Sequence, residues 1–186
     1  NIDLWQWMFG MPSRIRASCY FGKYHDIEVE DDVTAYMEYE NGATGAFITT
    51  TGESPGTNRL EVSGERGKIV VEAGKVVFHR TRVEVSEFRS TSPERFANPE
   101  RWTCEIPIHG HGEQHIGIHK DFHKAILTGS DLLADGREGI NCVEIINGML
   151  YSGWNNGQWV DLPIDADMYY DALQEKVESS TFEKQV

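Results

Sequence analysis

Histidine is the side chain that most readily exchanges protons near neutral pH, and this chain concentrates its histidines in one short stretch. The stretch contains His109, His111, Glu113, His115, His119 and His123. Three of these histidines follow each other at intervals of four residues, so on a helix they would lie along one side, a spacing that can hold a metal ion. A zinc-protease motif is excluded because Ile116, and not glutamate, follows His115.

The helical wheel of this stretch argues against a shared metal. At about 100° per residue, the apolar stripe consists of Ile118, Phe122, Ala125 and Ile126. His115 falls inside the stripe, His119 lies at its border and His123 lies further toward the polar side. The three imidazoles therefore fan out, and we predict no metal ligands. His115 is either a buried histidine or a group that lines a cavity beside a sheet.

A second set of polar side chains lies on alternate residues of two predicted strands. In residues 14–21, Ile15, Ala17 and Cys19 point to one side, and the residues between them point to the other. The polar set consists of Arg14, Arg16, Tyr20, Tyr36 and Glu38. It could form a binding face, the outer face of a sheet or an interface between subunits.

The elements that must position these side chains follow a clear order. Residues 2–9 form a helix that Gly10 ends, and a series of strands follows, with a hairpin at Asn41-Gly42. Residues 82–89 alternate and are predicted as a strand. Helices are predicted over residues 115–127, 137–154 and about 165–177. Strands followed by helices predict an α+β domain, with a largely antiparallel sheet whose helices cover one face.

Composition narrows the function classes. The chain has 186 residues with 30 acidic and 17 basic side chains, a net charge of −13 that disfavours nucleic acid and membrane surfaces as partners. Its three cysteines are sparse and widely spaced, which indicates a reducing, cytoplasmic compartment. Gly110 and Gly112 are not followed by a third glycine at the spacing of the dinucleotide-binding fingerprint, so the chain does not carry that fingerprint.

Several segments, in the correct order, resemble the C-terminal domain of the glucose–fructose oxidoreductase / inositol dehydrogenase / rhizopine-catabolism (Gfo/Idh/MocA) oxidoreductases. These segments are NIDLWQWMFG at residues 1–10, EQHIGIHKDFHKAIL at 113–127, GREGI at 136–140 and WVDLPID at 159–165. The resemblance implies an open-faced, largely antiparallel mixed sheet with helices on one face, as in dihydrodipicolinate reductase/GAPDH-like C-terminal domains. Residues 1–186 would form this single domain, and an N-terminal Rossmann domain that binds NAD or NADP would be absent from the chain.

The same resemblance implies hydride transfer to or from a sugar, a polyol or a related carbonyl compound. The family's catalytic lysine lies in the Rossmann half, and its catalytic histidine would immediately precede Asn1. We therefore expect no catalytic residue, no cofactor-binding residue and no bound cofactor in this chain alone. The substrate-binding candidates are His115, Gln114, Glu113 and Asn1, since imidazole and amide groups can donate to and accept from sugar hydroxyls.

The open sheet face predicts self-association, as a dimer or a tetramer, because a large exposed sheet face normally requires a partner. Two alternative functions remain open at this stage. One is a non-catalytic carbohydrate-binding or assembly module, and the other is the histidine-cluster metalloprotein.

Overall fold

The structure is a computed structural model that describes residues 1–110 and 112–181. The helices are α1 (Ile2–Phe9), α2 (Val85–Thr91), α3 (Gln114–Thr128), α4 (Gly139–Trp154) and α5 (Ala166–Glu178). The strands are β1 (Arg14–Phe21), β2 (Glu30–Glu38), β3 (Thr44–Thr50), β4 (Arg59–Gly64), β5 (Gly67–Glu72), β6 (Lys75–Thr81), β7 (Arg101–Ile106) and β8 (Val160–Asp161). The α+β class predicted from the sequence is confirmed.

The strands form two four-stranded sheets, with the orders β3-β2-β1-β8 and β4-β5-β6-β7, in which every pair is antiparallel. The chain correspondingly divides into two compact units. Unit 1 comprises residues 1–53 and 120–186, and unit 2 comprises residues 54–119. The sequence pattern predicted a single sheet, because alternation identifies the face of each strand but not the strand beside it.

Unit 1 contains the buried apolar core of the described residues. The core consists of Ile15, Ala17, Val33, Ala35, Met37, Ile145, Met149 and Val160. These side chains come from β1, β2, β8 and one side of α4, and α1 packs on the same face of the sheet. Gly148 permits the close approach of α4 to β1, since a Cβ at this position would lie 2.9 Å from Cγ2 of Ile15. α1 and α4 therefore cover one face of this sheet, and the side chains of the opposite face, which we call the open face, are exposed or half-buried.

The β2–β3 hairpin forms as predicted from Asn41-Gly42. Gly42 has a φ of 82°, which glycine adopts without strain, and its N–H donates to the carbonyl of Tyr39 at 2.9 Å. The side chain of Asn41 accepts a hydrogen bond from the N–H of Ala43. The turn fixes the register in which Glu38 faces Thr44, and this register sets which β2 and β3 side chains share the open face.

Unit 2 contains the second sheet and α2. One face of this sheet is apolar, with Leu60, Val62, Val71, Val76 and Phe78 half-buried. The prediction of a strand over residues 82–89 is wrong, because Val85–Thr91 forms an α-helix. Val85 and Phe88 are half-buried three residues apart, and the carboxylate of Glu65 accepts the N–H of Ser86 in the first turn. Among the described residues, no helix is long and apolar enough to cross a membrane.

Candidate functional site

The first turn of α1 carries Asn1, one of the predicted substrate-binding residues. Asn1 is exposed, and its side chain makes no capping hydrogen bond, although its carbonyl accepts the N–H of Trp5 at 2.9 Å. Gln6, one turn further along, is buried and donates from its side-chain amide to the carboxylate of Asp3 at 3.2 Å. The end of α1 is set by Gly10, whose N–H bonds to the carbonyl of Gln6. The exposed polar end of a short helix is thus tied to a buried amide.

A cavity of about 210 Å³ lies between the sheet of unit 1 and its helices, beside the first turn of α1. Its apolar wall consists of Ile2, Val33, Phe47, Ile146, Met149 and Leu150. Its polar rim consists of residues 30–32, which are acidic, and residues 49–51, which are threonines. The chemistry of this lining, apolar with oxygen atoms at one edge, is suited to the carbon face and the hydroxyls of a sugar-like molecule.

The carboxylate of Asp31, which lines this cavity, accepts hydrogen bonds from the backbone of the loop between β1 and β2. The Asp31 side chain is fully buried and accepts the backbone N–H groups of Lys23, Tyr24 and His25 at 2.7–3.1 Å, with Nδ1 of His25 at 3.3 Å. Burial acts to raise the pKa of Asp31, but these hydrogen bonds outweigh burial and lower the pKa below its ordinary value. The charged carboxylate therefore shapes the loop between β1 and β2 and is not available to a ligand.

The three other predicted substrate-binding residues lie together at the start of α3. Glu113 precedes the helix and its carbonyl accepts the N–H of Gly117 at 3.3 Å, while Gln114 begins the helix with a φ of 48°. Glu113, Gln114 and His115 are all exposed. The apolar stripe of α3 is exposed as well, with Phe122 at 55% and Ile126 at 67%, so His115 is not enclosed by the chain. Asn1 belongs to unit 1, whereas these three residues belong to unit 2.

Metal binding by the histidine stretch has no support in the described part of the chain. Among residues 1–110 and 112–181, no group of three histidine, cysteine or acidic side chains could hold a metal ion. His111 lies outside the described residues, and His119 and His123 are exposed on α3. Burial raises the pKa of Cys19 to about 11, with Glu30 adding to the effect, so this thiol stays protonated at neutral pH and is a poor nucleophile.

The open face of the first sheet carries the polar set predicted from strand alternation. Arg14 faces Glu38 and Arg16 faces Tyr36 across β1 and β2, so these side chains share one face as predicted. Arg14 and Glu38 form an ion pair with an Nε–Oε2 distance of 2.6 Å. The sequence did not place Trp159 in this set. The guanidinium carbons of Arg14 and Arg16 lie 4.5 and 5.1 Å from the centroid of its ring.

The guanidinium of Arg16 contacts two aromatic rings. It lies over Tyr36 at 5.6 Å as well as over Trp159, and the two rings meet edge to face with centroids 6.0 Å apart. Trp159 immediately precedes β8 at one edge of the sheet. A guanidinium stacked on rings keeps its N–H groups directed outward along its plane, where they can donate to an acceptor. This arrangement suits an interface more than a solvated surface.

The far end of the open face has a second cation–aromatic contact. The ammonium of Lys23 lies 2.8 Å from the carboxylate of Asp32 and within 5 Å of the ring centroids of Tyr20 (4.6 Å) and Tyr24 (4.9 Å). The hydrogen bond to Asp32 raises the pKa of Lys23 well above its ordinary value. Ile48, 72% exposed on β3, and Thr34, its neighbour on β2, lie between the two charged ends. The face is therefore charged at both ends, with the exposed side chain of Ile48 between them.

In comparisons with known proteins, part of the chain matches one family model, and several solved structures have a similar fold. Residues 1–70 match the model of the GFO/IDH/MocA C-terminal domain, which confirms the resemblance to this family over that part of the chain. No curated protein matches the chain. Among solved structures, the WlbA dehydrogenase of Bordetella pertussis, in complex with NADH and UDP-GlcNAcA, is similar over 88% of this chain and 43% of its own, at 18% identity and a TM-score of 0.56.

Two further solved structures have the same fold. A levoglucosan dehydrogenase, in complex with NADH and levoglucosan, is similar over 87% of this chain and 48% of its own, at 21% identity and a TM-score of 0.64. The aldose-aldose oxidoreductase of Caulobacter crescentus is similar over 87% of this chain and 44% of its own, at 17% identity and a TM-score of 0.62. The chain thus spans less than half the length of each of these structures, and at this identity the likeness establishes the fold alone.

Proposed function

We propose that this chain, whose first 70 residues match the Gfo/Idh/MocA C-terminal domain, is the substrate-binding and oligomerisation domain of an NAD(P)-dependent oxidoreductase. The reaction is hydride transfer to or from a sugar, a polyol or a related carbonyl compound. The observation that carries the proposal is the fold likeness to the levoglucosan dehydrogenase over 87% of this chain. That enzyme was solved with NADH and a sugar derivative, which supports both the cofactor and the substrate class.

The nicotinamide nucleotide does not fit the residues of this chain. The segment that leads into α3 has Gly110 and Gly112 at positive φ, but the sequence lacks the third glycine of a dinucleotide-binding turn. We assign the nucleotide to a Rossmann domain of the same polypeptide, since the similar structures are about twice as long as this chain and two of them hold NADH. The role of residues 1–186 is then confined to substrate binding and subunit pairing.

Substrate-binding roles are proposed for each unit by itself: for Asn1 on unit 1, and for Glu113, Gln114 and His115 at the start of α3 on unit 2. All four side chains are exposed and carry hydrogen-bonding groups, and a hydroxyl-rich substrate offers matching donors and acceptors. A neutral imidazole and an amide can each donate and accept, which suits an alcohol that loses its proton during oxidation. Subunit pairing is assigned to the open sheet face with Arg16, Tyr36 and Trp159.

The test uses the full-length protein with NAD or NADP and a panel of sugars and polyols. We expect substrate-dependent formation of NADH or NADPH. In a His115→Ala variant the KM for the preferred substrate should rise about tenfold, which corresponds to roughly 1.4 kcal/mol of binding. His123→Ala is the matched control, because His123 is an exposed histidine on the same helix and two turns away.

Binding of a sugar by the full-length protein without any nicotinamide dependence would overturn the proposal. That result would assign the chain to the non-catalytic carbohydrate-binding modules instead. A KM that rises equally in His115→Ala and His123→Ala would remove His115 from the substrate site and leave the oxidoreductase assignment in place.

A further inference from the structure

Gln6 is the buried polar side chain through which α1 contacts the first turn of α4. It is 8% exposed, and its amide nitrogen donates to Oδ1 of Asp3 at 3.2 Å. Its amide oxygen accepts a hydrogen bond from the side-chain nitrogen of Asn141 at 3.4 Å. Asn141 is the third residue of α4, and Asp3 is the second residue of α1. One buried amide therefore links the first turns of two helices.

The chemistry of this bridge requires an amide at residue 6. A carboxylate accepts and cannot donate when it is ionised, so Asp3 requires a donor. The Asn141 amide nitrogen only donates and requires an acceptor. Glutamine supplies both groups on a side chain long enough to reach them, whereas leucine of similar size would supply neither and would break both hydrogen bonds.

The short length of α1 makes its position depend on such contacts. Eight residues form little more than two turns, and isolated helices of this length are unstable in water. A second anchor lies further along the helix, where Nε1 of Trp5 donates to the hydroxyl of Tyr39 at 2.6 Å and its ring lies against Gly45. The Trp5 anchor holds the middle of the helix to β2 and β3. The Gln6 bridge is the polar side-chain contact that ties the first turn, with Asp3, to α4.

We infer that Gln6 is a positioning residue of the substrate site. Through the Asp3–Gln6–Asn141 bridge it fixes the first turn of α1, and with it the place of Asn1 and the orientation of the Asp3 carboxylate. The inference rests on the proposed function, in which Asn1 lies against the substrate. Gln6 itself is buried and acts through its neighbours, so its loss should change how substrate binds and reacts.

The experiment measures kcat and KM of the full-length protein, normalised to the folded fraction, for the Gln6→Leu and Asn141→Leu variants and the double variant. We expect each single variant to lower kcat/KM about tenfold, and the double variant to lower it little further, because both remove one shared bridge. Ser152→Ala is the control. Ser152 is fully buried, and the hydrogen bonds of its hydroxyl go to Ala17 and Gln158, so its replacement should lower stability with unchanged kcat/KM.

A Gln6→Glu variant provides a readout that a purely structural role would not give. Glutamate at residue 6 would place two carboxylates at hydrogen-bonding distance, and protonation of one of them restores the donor. Relative to the natural chain, kcat/KM of this variant per folded molecule should recover as the pH falls from about 7 to about 5.

The possible outcomes separate this inference from the function on which it rests. If the natural full-length protein oxidises no sugar or polyol, the proposed function fails. If it is active and Gln6→Leu lowers stability alone, with kcat/KM per folded molecule unchanged, Gln6 is a structural residue and the inference is overturned.

Discussion

Ser152 and Ala17 are joined by a hydrogen bond of 2.8 Å from the backbone N–H of Ala17 to the hydroxyl of Ser152. The same hydroxyl donates to the carbonyl of Gln158 at 2.6 Å. Ser152 is fully buried on α4, and β8 pairs with β1 only at Arg14 and Ile15. The serine hydroxyl therefore takes the place of a strand partner where β8 is too short, and it connects the helix layer to the sheet.

The first prediction concerns this hydroxyl. Ser152→Ala should lower the free energy of unfolding by about 1–3 kcal/mol, because it leaves a buried N–H and a carbonyl without partners. Urea denaturation of the chain measures the change. Ser179→Ala is the control, since this exposed serine bonds within the end of α5 and its replacement should cost less than about 0.5 kcal/mol. Equal losses in the two variants would contradict the role given to Ser152.

The second prediction concerns the contact between α4 and β1. In Gly148→Ala the new Cβ would lie 2.9 Å from Cγ2 of Ile15 and 3.1 Å from Cδ2 of Leu162, both in or next to the core. We expect a loss of about 1–3 kcal/mol from this overpacking, measured by thermal and urea unfolding.

Gly139→Ala is the matched control on the same helix. Nothing lies within 4 Å of a Cβ at Gly139, and its φ of −59° is ordinary for any residue. Alanine there should leave stability unchanged or raise it by up to about 1 kcal/mol. A tolerated Gly148→Ala would mean that α4 can move away from β1 without cost.

The sequence predicted which side chains share a face of the sheet, but it did not predict which strands pair with each other. Alternation placed Arg14, Arg16, Tyr36 and Glu38 on one face, because the side-chain period of a strand is a local property. It could not add Trp159, which reaches the same face from more than 120 residues away through the short strand β8. Alternation also could not reveal that the strands form two sheets. Strand pairing depends on contacts between different strands, and the alternation within one strand carries no information about them.

At the candidate site, too, local sequence patterns did not reveal contacts between residues that are far apart in the chain. Wheel geometry identified the apolar stripe of α3 and placed His115 within it, but a stripe does not specify what covers it. Gln6 gave no signal in the sequence, because a glutamine on a short amphipathic helix is usually exposed. Its partner Asn141 lies 135 residues away. The prediction of a strand over residues 82–89 failed because Val83 and Val85 fit strand alternation, whereas Val85 and Phe88, three residues apart, fit one side of a helix.

The third prediction concerns acid stability and Asp31. Hydrogen bonds lower the pKa of the folded Asp31 below its ordinary value of 3.8, so the charged carboxylate favours the folded state. This contribution is fully present above the unfolded pKa and is lost as the pH falls through the folded pKa. Asp31→Asn should therefore lower stability near neutral pH and flatten the fall in stability that sets in below about pH 5. Asp26→Asn, in the same loop but exposed, is the control and should change stability at neutral pH by less than about 0.5 kcal/mol.

The last prediction concerns the open face of the first sheet, which we propose as the pairing surface. Arg16 lies over Tyr36 and Trp159 on this face, which also carries the exposed Ile48, and arginine and aromatic side chains dominate the binding energy of many interfaces. Trp159→Ala and Ile48→Asp should each weaken self-association at least about tenfold, measured by sedimentation over a concentration series. Lys176→Ala, on α5, is the control and should associate like the natural chain.

The Ile48 variant decides the outcome, because Trp159 also packs within one protomer. The side chain of Ile48 is 72% exposed, so its replacement should leave the folded monomer intact. An Ile48→Asp protein that associates as tightly as the natural chain would show that the pairing surface lies elsewhere.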